Sequence, residues 1–286
     1  MEKRSMSAGF VGAGKVGCSL GRVFHETGLP VAGYAGRRFA SSVEAAAMTG
    51  SRPFETLEEL AAACDILFIT VPDGSILKVW NELRGLPLAG KVVCHCSGSL
   101  PAALLEHASA LCVGACSLHP LYAVSSRESS WKGLATAVFT LEGDPPAVAF
   151  LRDWLAPAEL CIQPLEGVDK TRYHAAAVFA SNLVVGLAQE ACDLLKECGF
   201  GEETAIRALA PLLSGNMARL VEQGVDKALT GPVERNDTET VARHLAVLHG
   251  DTQEIYRILS CRLVEIAARR HPERDMDRMR NLLKNK

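Results

Sequence analysis

The glycine pattern near the amino terminus constrains the fold more than any other feature of the sequence. Residues 9–17 read GFVGAGKVG, in which Gly12, Gly14 and Gly17 have the spacing G-x-G-x-x-G. Apolar residues 8–12 predict a strand before the turn, and residues 13–28 predict a helix after it. The first glycine permits a tight turn, and the third lets the helix pack closely on the strand. The chain therefore begins with a strand–turn–helix unit typical of α/β folds.

Predicted strands and helices alternate up to about residue 163. Near-continuous apolar runs at 65–72 and 91–96 predict strands buried on both faces, as parallel sheets require. Residues 100–109 predict a helix between two of these strands. From residue 164 onward the sequence predicts helices only. We therefore predict an α/β plus all-α protein, with a doubly wound Rossmann domain at residues 1–163 and a helical domain at residues 164–286.

Composition narrows the class of protein. The 286 residues are 48% hydrophobic with a net charge of −3, so neither a nucleic acid nor a membrane is indicated as a partner. With no predicted membrane span or signal peptide, we expect a cytoplasmic protein whose ten cysteines are reduced. Cys94, Cys96, Cys112 and Cys116 lie in predicted strands rather than in the tight turns that usually hold zinc, so no metal site is expected.

The glycine turn also predicts a bound dinucleotide, because a pyrophosphate can approach the backbone at the second glycine and the free N–H groups that begin the helix. Its predicted contacts are Gly12, Ala13, Gly14, Lys15 and Val16. NAD-binding proteins usually carry an acid after the second strand, where this chain has Gly36, Arg37 and Arg38. A guanidinium suits a 2′-phosphate, so NADP is the predicted cofactor. The alternative is a purely structural turn with two solvated arginines.

Further candidates follow two later strands. Ligands of doubly wound sheets lie beyond the carboxyl ends of the strands. Val71, Pro72 and Asp73 end one predicted strand, and Ser97 and Gly98 end another. We expect Val71, Pro72, Asp73 and Ser97 along the ribose and nicotinamide path, and Ser97 and Gly98 at the substrate. Ser97 alternatively caps the helix that follows.

The motifs GFVGAGKVG, GRR, DILFITVPD, CSGS and LHP, followed by an all-helical region, resemble the two-domain reductases. These include pyrroline-5-carboxylate reductase, ketopantoate reductase, the β-hydroxyacid dehydrogenases and prephenate dehydrogenase. More narrowly, SLHPL (117–121), DKTRYHAAAVFASN (169–182) and GPVERND (231–237) resemble bacterial Rossmann-like proteins with domain of unknown function 2520. The resemblance covers essentially the whole chain. It implies an NADP-linked oxidoreductase, a helical domain of the 6-phosphogluconate dehydrogenase C-terminal-like type, and a homodimer formed through that domain.

The same resemblance suggests catalytic residues. In the β-hydroxyacid dehydrogenases and ketopantoate reductase, a lysine that begins the first long helix of the second domain donates a proton to the carbonyl, and Lys170 occupies the corresponding place. His174 lies one turn further, where those relatives tend to carry asparagine, and Asn182 follows on roughly the same face. Prephenate dehydrogenases share a His-Pro pair like that of His119. The structural alternatives are a surface lysine, a packed His174 and a His119 bonded to local backbone.

The GPVERND segment supplies two more candidates. Arg235 is expected to bind an anion such as a substrate carboxylate, and its alternative is a structural ion pair. Asp237 is a candidate substrate contact, and its alternative is to cap the helix that follows.

We therefore predict an NADP-dependent oxidoreductase that transfers a hydride between NADP(H) and a small carbonyl, imine or hydroxy-acid substrate in an interdomain cleft. Lys170, His119 and His174 are its candidate catalytic residues. One alternative is a non-catalytic NADP-binding sensor or scaffold. The other is a prephenate-dehydrogenase-like oxidation, which rests on the LHP motif; the missing acid after the second strand argues against its NAD requirement.

Overall fold

A computed structural model describes residues 5–284 and divides the chain into two compact units. The first unit extends to Ser181, and the second begins at Asn182. The sequence places the domain boundary earlier, between residues 163 and 164. The difference is α8 (Lys170–Ala180), which belongs to the first unit because Lys170 and Tyr173 bond to strands of its sheet.

The described part of the first unit forms one sheet of eight strands. They are β1 (Ala8–Val11), β2 (Val31–Ala35), β3 (Arg52–Phe54), β4 (Ile66–Ile69), β5 (Val92–His95), β6 (Gly114–Pro120), β7 (Val138–Gly143) and β8 (Cys161–Pro164). Their order is β3-β2-β1-β4-β5-β6-β7-β8. Strands β1 to β6 are parallel, β7 is antiparallel to β6, and β8 is parallel to β7. The winding direction reverses between β1 and β4, the place where doubly wound sheets bind ligands.

Helices lie between these strands along the chain, and the last helix of the unit follows β8. They are α1 (Lys15–Glu26), α2 (Phe39–Thr49), α3 (Leu57–Ala63), α4 (Asp73–Leu83), α5 (Ala108–Leu111), α6 (Trp131–Leu134), α7 (Pro145–Leu155) and α8. The single helix predicted for residues 100–109 is wrong. A short 3-10 turn at Ala102–Leu104 follows Pro101, and His107, with a φ of 61°, separates that turn from α5.

The central strands are buried on both faces, as their apolar runs predict. Every residue of β1, β4 and β5 is buried. On one face, the rings of Phe10, Tyr34 and Phe68 stack at centroid distances of 5.1 and 5.3 Å. On the other face, Leu67 and Trp80 belong to a second apolar cluster. The predicted fold class, a Rossmann-type sheet followed by a helical region, is confirmed.

The described part of the second unit is helical. Its helices are α9 (Asn182–Glu197), α10 (Glu202–Ala228), α11 (Thr238–Val247), α12 (Gly250–Arg270) and α13 (Asp277–Lys284). Helices α11 to α13 share a core that includes Val241, Val264 and Met279. In contrast, α9 buries only Cys192 and α10 only Ala205. Most apolar side chains of these two helices are therefore uncovered within the single chain.

One apolar stretch, residues 170–197, has the length and mean hydropathy (1.4) of a helix that could cross a membrane. The backbone interrupts this stretch at Ser181, whose φ and ψ of −128° and −78° are not helical. The resulting helices α8 and α9 have 11 and 16 residues. A membrane span needs about 20 residues, so neither helix is long enough alone.

Candidate functional site

The glycine turn between β1 and α1 has the geometry that its spacing predicts. Gly12 has a φ of +115°, and a Cβ on it would lie 2.9 Å from the carbonyl oxygen of Thr70. A Cβ on Gly17 would lie 2.3 Å from the carbonyl oxygen of Gly12 and 2.5 Å from Thr70 Oγ1. Gly14 has more room, because the nearest atom to its Cβ position is 4.0 Å away. The turn is therefore tight at Gly12, closely packed at Gly17 and open at Gly14.

Helix α1 begins at this turn with exposed backbone donors. Its N-cap residue is Gly14, and no side chain of the described residues caps it. Its first turn holds no acidic residue. Lys15 is exposed, and Ala13 and Val16 are half-buried. Unpaired N–H groups and the positive end of the helix dipole favour an anion here, so the donor set fits a dinucleotide pyrophosphate.

Two arginines lie where the second strand ends. A Cβ on Gly36 would lie 3.9 Å from the amide nitrogen of Ala13, so this residue adjoins the glycine turn. Arg37 and Arg38 are exposed, and neither side chain forms a hydrogen bond or ion pair with a described residue. Residues 36–43 contain no carboxylate. The edge of the glycine turn is thus cationic and lacks the acid that usually binds a ribose 2′-hydroxyl.

The ends of β4 and β5 are joined by hydrogen bonds. Ser97 Oγ and Ser99 Oγ each donate to Asp73 Oδ2 at 2.8 Å. Ser97 Oγ also accepts from the amide nitrogens of Ser99 at 3.2 Å and Leu100 at 3.0 Å, so it stabilises the turn after β5. It caps no helix, because the 3-10 turn that follows begins after Pro101. Val71 is half-buried and Pro72 is exposed at the same edge. These contacts place Asp73 and Ser97 beside each other at the carboxyl ends of neighbouring strands.

Five polar side chains share one face of β5, β6 and β7, and we call them the polar patch: His95, Ser117, His119, Thr140 and Glu142. The strand register pairs His95 with Ser117, Ser117 with Glu142, and His119 with Thr140. Paired residues of neighbouring strands project to the same face, and alternate residues of one strand do so as well. The patch therefore continues the apolar face of Val93 and Ala115 toward the strand ends.

Lys170 covers part of this patch from the first turn of α8. Its residue is only 5% exposed, yet its ammonium group is well bonded. Lys170 Nζ donates to Ser117 Oγ at 2.6 Å and to the carbonyl oxygen of Ser97 at 2.8 Å. Glu142 Oε1 lies 3.6 Å away and accepts from the amide of Ala102 at 2.8 Å. The structure thus places Lys170 in the first unit as a buried, paired cation.

His119 bonds to a residue that the sequence did not single out. Its Nδ1 lies 2.8 Å from the hydroxyl of Tyr173, one position before His174 in α8. Thr140 Oγ1 donates to the same phenol oxygen at 3.2 Å. The two rings meet edge to face at a centroid distance of 5.6 Å. Tyr173 therefore contacts two members of the polar patch, His119 on β6 and Thr140 on β7.

Gly98 lies where two imidazole rings converge. A Cβ at this position would be 2.7 Å from His119 Nε2 and 2.9 Å from His174 Nδ1. His174 Nδ1 is buried without a hydrogen-bond partner among the described residues, as is Nε2 of His95. Buried polar atoms are normally paired, so the unpaired Nδ1 of His174 beside Gly98 fits a site for a polar ligand.

Burial and charge determine the protonation of these groups. Burial, followed by the charge of Lys170, lowers the pKa of His119 to about 4, and the same two causes lower the pKa of His95 to about 4. Burial also lowers the pKa of Lys170, while Glu142 opposes that shift. At neutral pH both histidines are therefore neutral beside a buried cation.

Three other candidates belong to the second unit. Asn182 begins α9. Arg235 is exposed and makes no side-chain hydrogen bond or ion pair with a described residue. Asp237 Oδ1 accepts from the amide of Thr240 at 3.0 Å, so this carboxylate caps α11. The candidate zinc cysteines form no cluster of three or more possible ligands within residues 5–284.

Sequence reasoning missed Tyr173, Ser117, Thr140, Glu142 and His95. Two signals were available locally. Ser117 and His119 alternate within one strand, and Tyr173 lies one helical turn from Lys170. Thr140 and Glu142 had no such signal, because their position depends on the antiparallel register of β7.

Two family models match the chain in separate regions. Residues 1–120 match the Rossmann-like domain, and residues 137–263 match domain of unknown function 2520. The protein is therefore a two-part chain of the Rossmann class with an added helical region. More narrowly, it carries domain of unknown function 2520, as its resemblance implies. A comparison of the sequence with curated proteins found no match.

Solved structures share this architecture. A protein from Thermotoga maritima is 26% identical with a TM-score of 0.72, and the match covers 92% of this chain and 98% of that one. A candidate NADP oxidoreductase from Bacteroides fragilis is 21% identical with a TM-score of 0.70, covering 91% and 98%. Plasmodium falciparum pyrroline carboxylate reductase, solved with NADP bound, is 14% identical with a TM-score of 0.56, covering 98% of both chains. At such identities the latter two likenesses show a shared fold.

Proposed function

We propose that the protein is an NADP-dependent oxidoreductase that transfers a hydride between NADP(H) and a small carbonyl, imine or hydroxy-acid substrate. One observation carries the proposal. The glycine turn after β1 and the polar patch on β5 to β7 belong to the same sheet. Strand β4 lies between them in the strand order, and Asp73, which follows β4, bonds to Ser97, which follows β5. A bound nicotinamide supplies or accepts the hydride.

The proposed cofactor contacts follow from the exposed hydrogen-bond donors around the glycine turn. Backbone groups of Gly12 to Val16 bind the pyrophosphate at the start of α1. Arg37 and Arg38 bind the 2′-phosphate, since both guanidinium groups are exposed and unpaired among the described residues. Gly36, Val71, Pro72, Asp73 and Ser97 line the path toward the polar patch. The names of two structural relatives, which mention NADP, support the same choice of cofactor.

Among the three candidate catalytic residues, His119 is best placed to exchange a proton with the substrate. Its Nδ1 is bonded to Tyr173, while its Nε2 faces the space beside Gly98. The ammonium group of Lys170 is already bonded to Ser97 and Ser117 and paired with Glu142. We therefore propose that Lys170 holds the ends of the strands together and provides a fixed positive charge in the site. His174, whose Nδ1 lies near the same Cβ position of Gly98 as His119 Nε2, orients the substrate. Asn182, Arg235 and Asp237 stay predictions as substrate contacts.

The test is turnover. Purified protein is incubated with NADPH and a panel of small aldehydes, ketones, imines and 2-oxo acids, and with NADP⁺ and the matching hydroxy acids, while the nicotinamide absorbance is followed. We expect turnover with at least one compound, lost in His119→Gln and kept in the surface variant His25→Gln. Tight NADPH binding without turnover across the panel would contradict the enzyme and favour the non-catalytic sensor.

We also propose a homodimer formed through α9 and α10. Val185, Leu212 and Val221 are 71%, 61% and 86% exposed on helices that bury almost nothing within the chain. An amphipathic helix of this length needs its apolar side covered, and a second copy offers a matching face. Sedimentation of wild-type protein should give a dimer, and Val221→Glu should give a monomer. Val247→Glu on α11, where Val247 is 70% exposed, is the control and should stay dimeric. A monomeric wild type would overturn the proposal.

A further inference from the structure

The phenol of Tyr173 connects two members of the polar patch. Its oxygen lies 2.8 Å from His119 Nδ1 and 3.2 Å from Thr140 Oγ1. His119 and Thr140 are paired in the register of β6 and β7, so α8 inserts this phenol directly between two fixed strand positions. The sequence resemblance gives this tyrosine no role, and the hydride-transfer proposal does not require it.

Thr140 Oγ1 lies within hydrogen-bond distance of two acceptors, the phenol oxygen of Tyr173 at 3.2 Å and the carbonyl oxygen of His119 at 3.3 Å. When Thr140 donates its proton to the phenol oxygen, the phenol proton is free to bond to His119 Nδ1, which then acts as the acceptor. A neutral imidazole that accepts at Nδ1 carries its proton on Nε2. That proton points toward the space beside Gly98, where the substrate is proposed to bind.

A neutral imidazole has a limitation as an acid. If it gives up the proton on Nε2 and gains nothing, it becomes an imidazolate, which is too basic to form at neutral pH. The limitation disappears when Nδ1 receives a proton as Nε2 loses one. Tyr173 is the group placed to supply that proton.

We propose that Tyr173 is a positioning residue of the reaction that relays protons through His119. The proposal rests on the proposed hydride transfer. In the reducing direction, the Nε2–H bond breaks and the proton joins the substrate oxygen or nitrogen that becomes electron-rich. The phenol O–H bond breaks and its proton forms the Nδ1–H bond. Tyr173 is left as a phenolate, stabilised by Nδ1–H and Thr140, and solvent water returns its proton. The oxidising direction runs through the same bonds in reverse.

The charges around His119 favour this arrangement. The groups that act on its ring are Lys170, His174, Asp73 and His95, in addition to Tyr173 itself. Burial and the Lys170 cation keep the ring neutral, since both oppose a second proton on it. Burial also raises the pKa of the Tyr173 phenol, which opposes the phenolate, whereas the hydrogen bond from Thr140 lowers that pKa and stabilises the phenolate that the relay leaves.

A second His–Tyr pair in the chain provides a matched control. His244 Nδ1 lies 2.8 Å from the hydroxyl of Tyr256, on α11 and α12 of the second unit. The ring geometry is also alike, with centroids 5.7 Å apart and an edge-to-face angle of 86°. Tyr256→Phe therefore removes the same kind of bond from a histidine outside the polar patch.

The experiment combines ¹⁵N NMR of the histidine rings in the full chain with the turnover assay. In wild type we expect His119 to be neutral with its proton on Nε2. Tyr173→Phe should redistribute that proton between the two nitrogens and lower kcat by at least ~10²-fold with KM changed less than twofold. Tyr256→Phe should alter His244 alone and leave kcat unchanged.

Two results would overturn the relay. One is a Tyr173→Phe protein that turns over within twofold of wild type, which would leave the oxidoreductase intact and remove only the relay. The other is a wild-type His119 with its proton on Nδ1 throughout. A wild type that binds NADPH yet turns over no compound would defeat the proposed function itself, and the relay with it.

Discussion

Lys170 shows how one buried charge can organise a site. Its ammonium bonds to Ser97 and Ser117 and faces Glu142, so it links the ends of β5, β6 and β7. Removing one member of a buried charge network leaves its partners unpaired, which costs several kcal/mol. The same cation acts on the rings of His95 and His119.

Lys170→Met tests both effects. We expect the free energy of unfolding to fall by about 2–4 kcal/mol, because Ser117 and Glu142 lose their partner. The pKa of His119 should rise, because a positive charge no longer opposes its protonation. Chemical denaturation and NMR titration measure the two changes. Lys196→Met, which removes an exposed ion pair with Asp193, is the control and should change neither by much. An unchanged His119 pKa would contradict the charge assignment.

At Gly98, the addition of a single methyl group should lower turnover without weakening NADPH binding. In Gly98→Ala the new Cβ would meet His119 Nε2 at 2.7 Å and His174 Nδ1 at 2.9 Å. We expect turnover to fall at least ~10²-fold, because a displaced catalytic ring loses its alignment, while NADPH affinity stays within threefold. Gly74→Ala, whose Cβ would meet nothing within 4 Å, is the control. Full activity in Gly98→Ala would place the substrate elsewhere.

Among the elements, the proposed choice of NADP rests on the loop after β2. Arg37 and Arg38 lie in this exposed loop next to the glycine turn, and their side chains have no partner among the described residues. Their charge is therefore available to a ligand.

The double variant Arg37→Ala and Arg38→Ala should weaken NADPH binding by about 1–3 kcal/mol, because charge-assisted hydrogen bonds to the 2′-phosphate are lost. NADH binding should change by less than ~0.5 kcal/mol, since NADH has no such phosphate. Calorimetric titration with each cofactor measures both. Arg84→Ala, at the exposed residue that follows α4, is the control for the loss of a surface arginine. Equal weakening of the two cofactors would remove the argument for NADP.

The elements also show what the sequence can predict. Apolar runs and the glycine spacing identify β1, β2, β4, β5 and the α1 turn, because these signals are local. The polar patch depends on register, which is set by contacts distant in sequence, and β7 pairs antiparallel in an otherwise parallel series. The failed helix at residues 100–109 has a local cause as well, since His107 adopts a left-handed conformation inside an otherwise helical pattern.

At the scale of the whole molecule, the buried histidines link stability to pH. The pKa of His95 and of His119 is about 4 in the folded chain, against an ordinary value of 6.5. Between pH 6.5 and about pH 4, these histidines are protonated in the unfolded chain but stay neutral in the folded chain. The free energy of unfolding is therefore highest above pH 6.5, and it decreases as the pH falls toward 4.

We expect the free energy of unfolding to fall by about 3 kcal/mol for His95 between pH 7 and pH 4, and by less for the half-buried His119. Urea denaturation at several pH values measures it. His95→Gln should flatten the pH dependence, whereas His25→Gln, an exposed position on α1, should not. A stability that is constant from pH 7 to pH 4 would show that these rings are not held neutral.

Isothermal titration of the full chain with NADPH and, separately, with NADH is the decisive test of the proposed cofactor site. We expect NADPH to bind at least tenfold more tightly, a difference of ~1.4 kcal/mol, because Arg37 and Arg38 are proposed to meet its 2′-phosphate beside the glycine turn. If neither cofactor binds, the turn is a structural feature only, the polar patch has no hydride to exchange, and the proposed oxidoreductase is wrong.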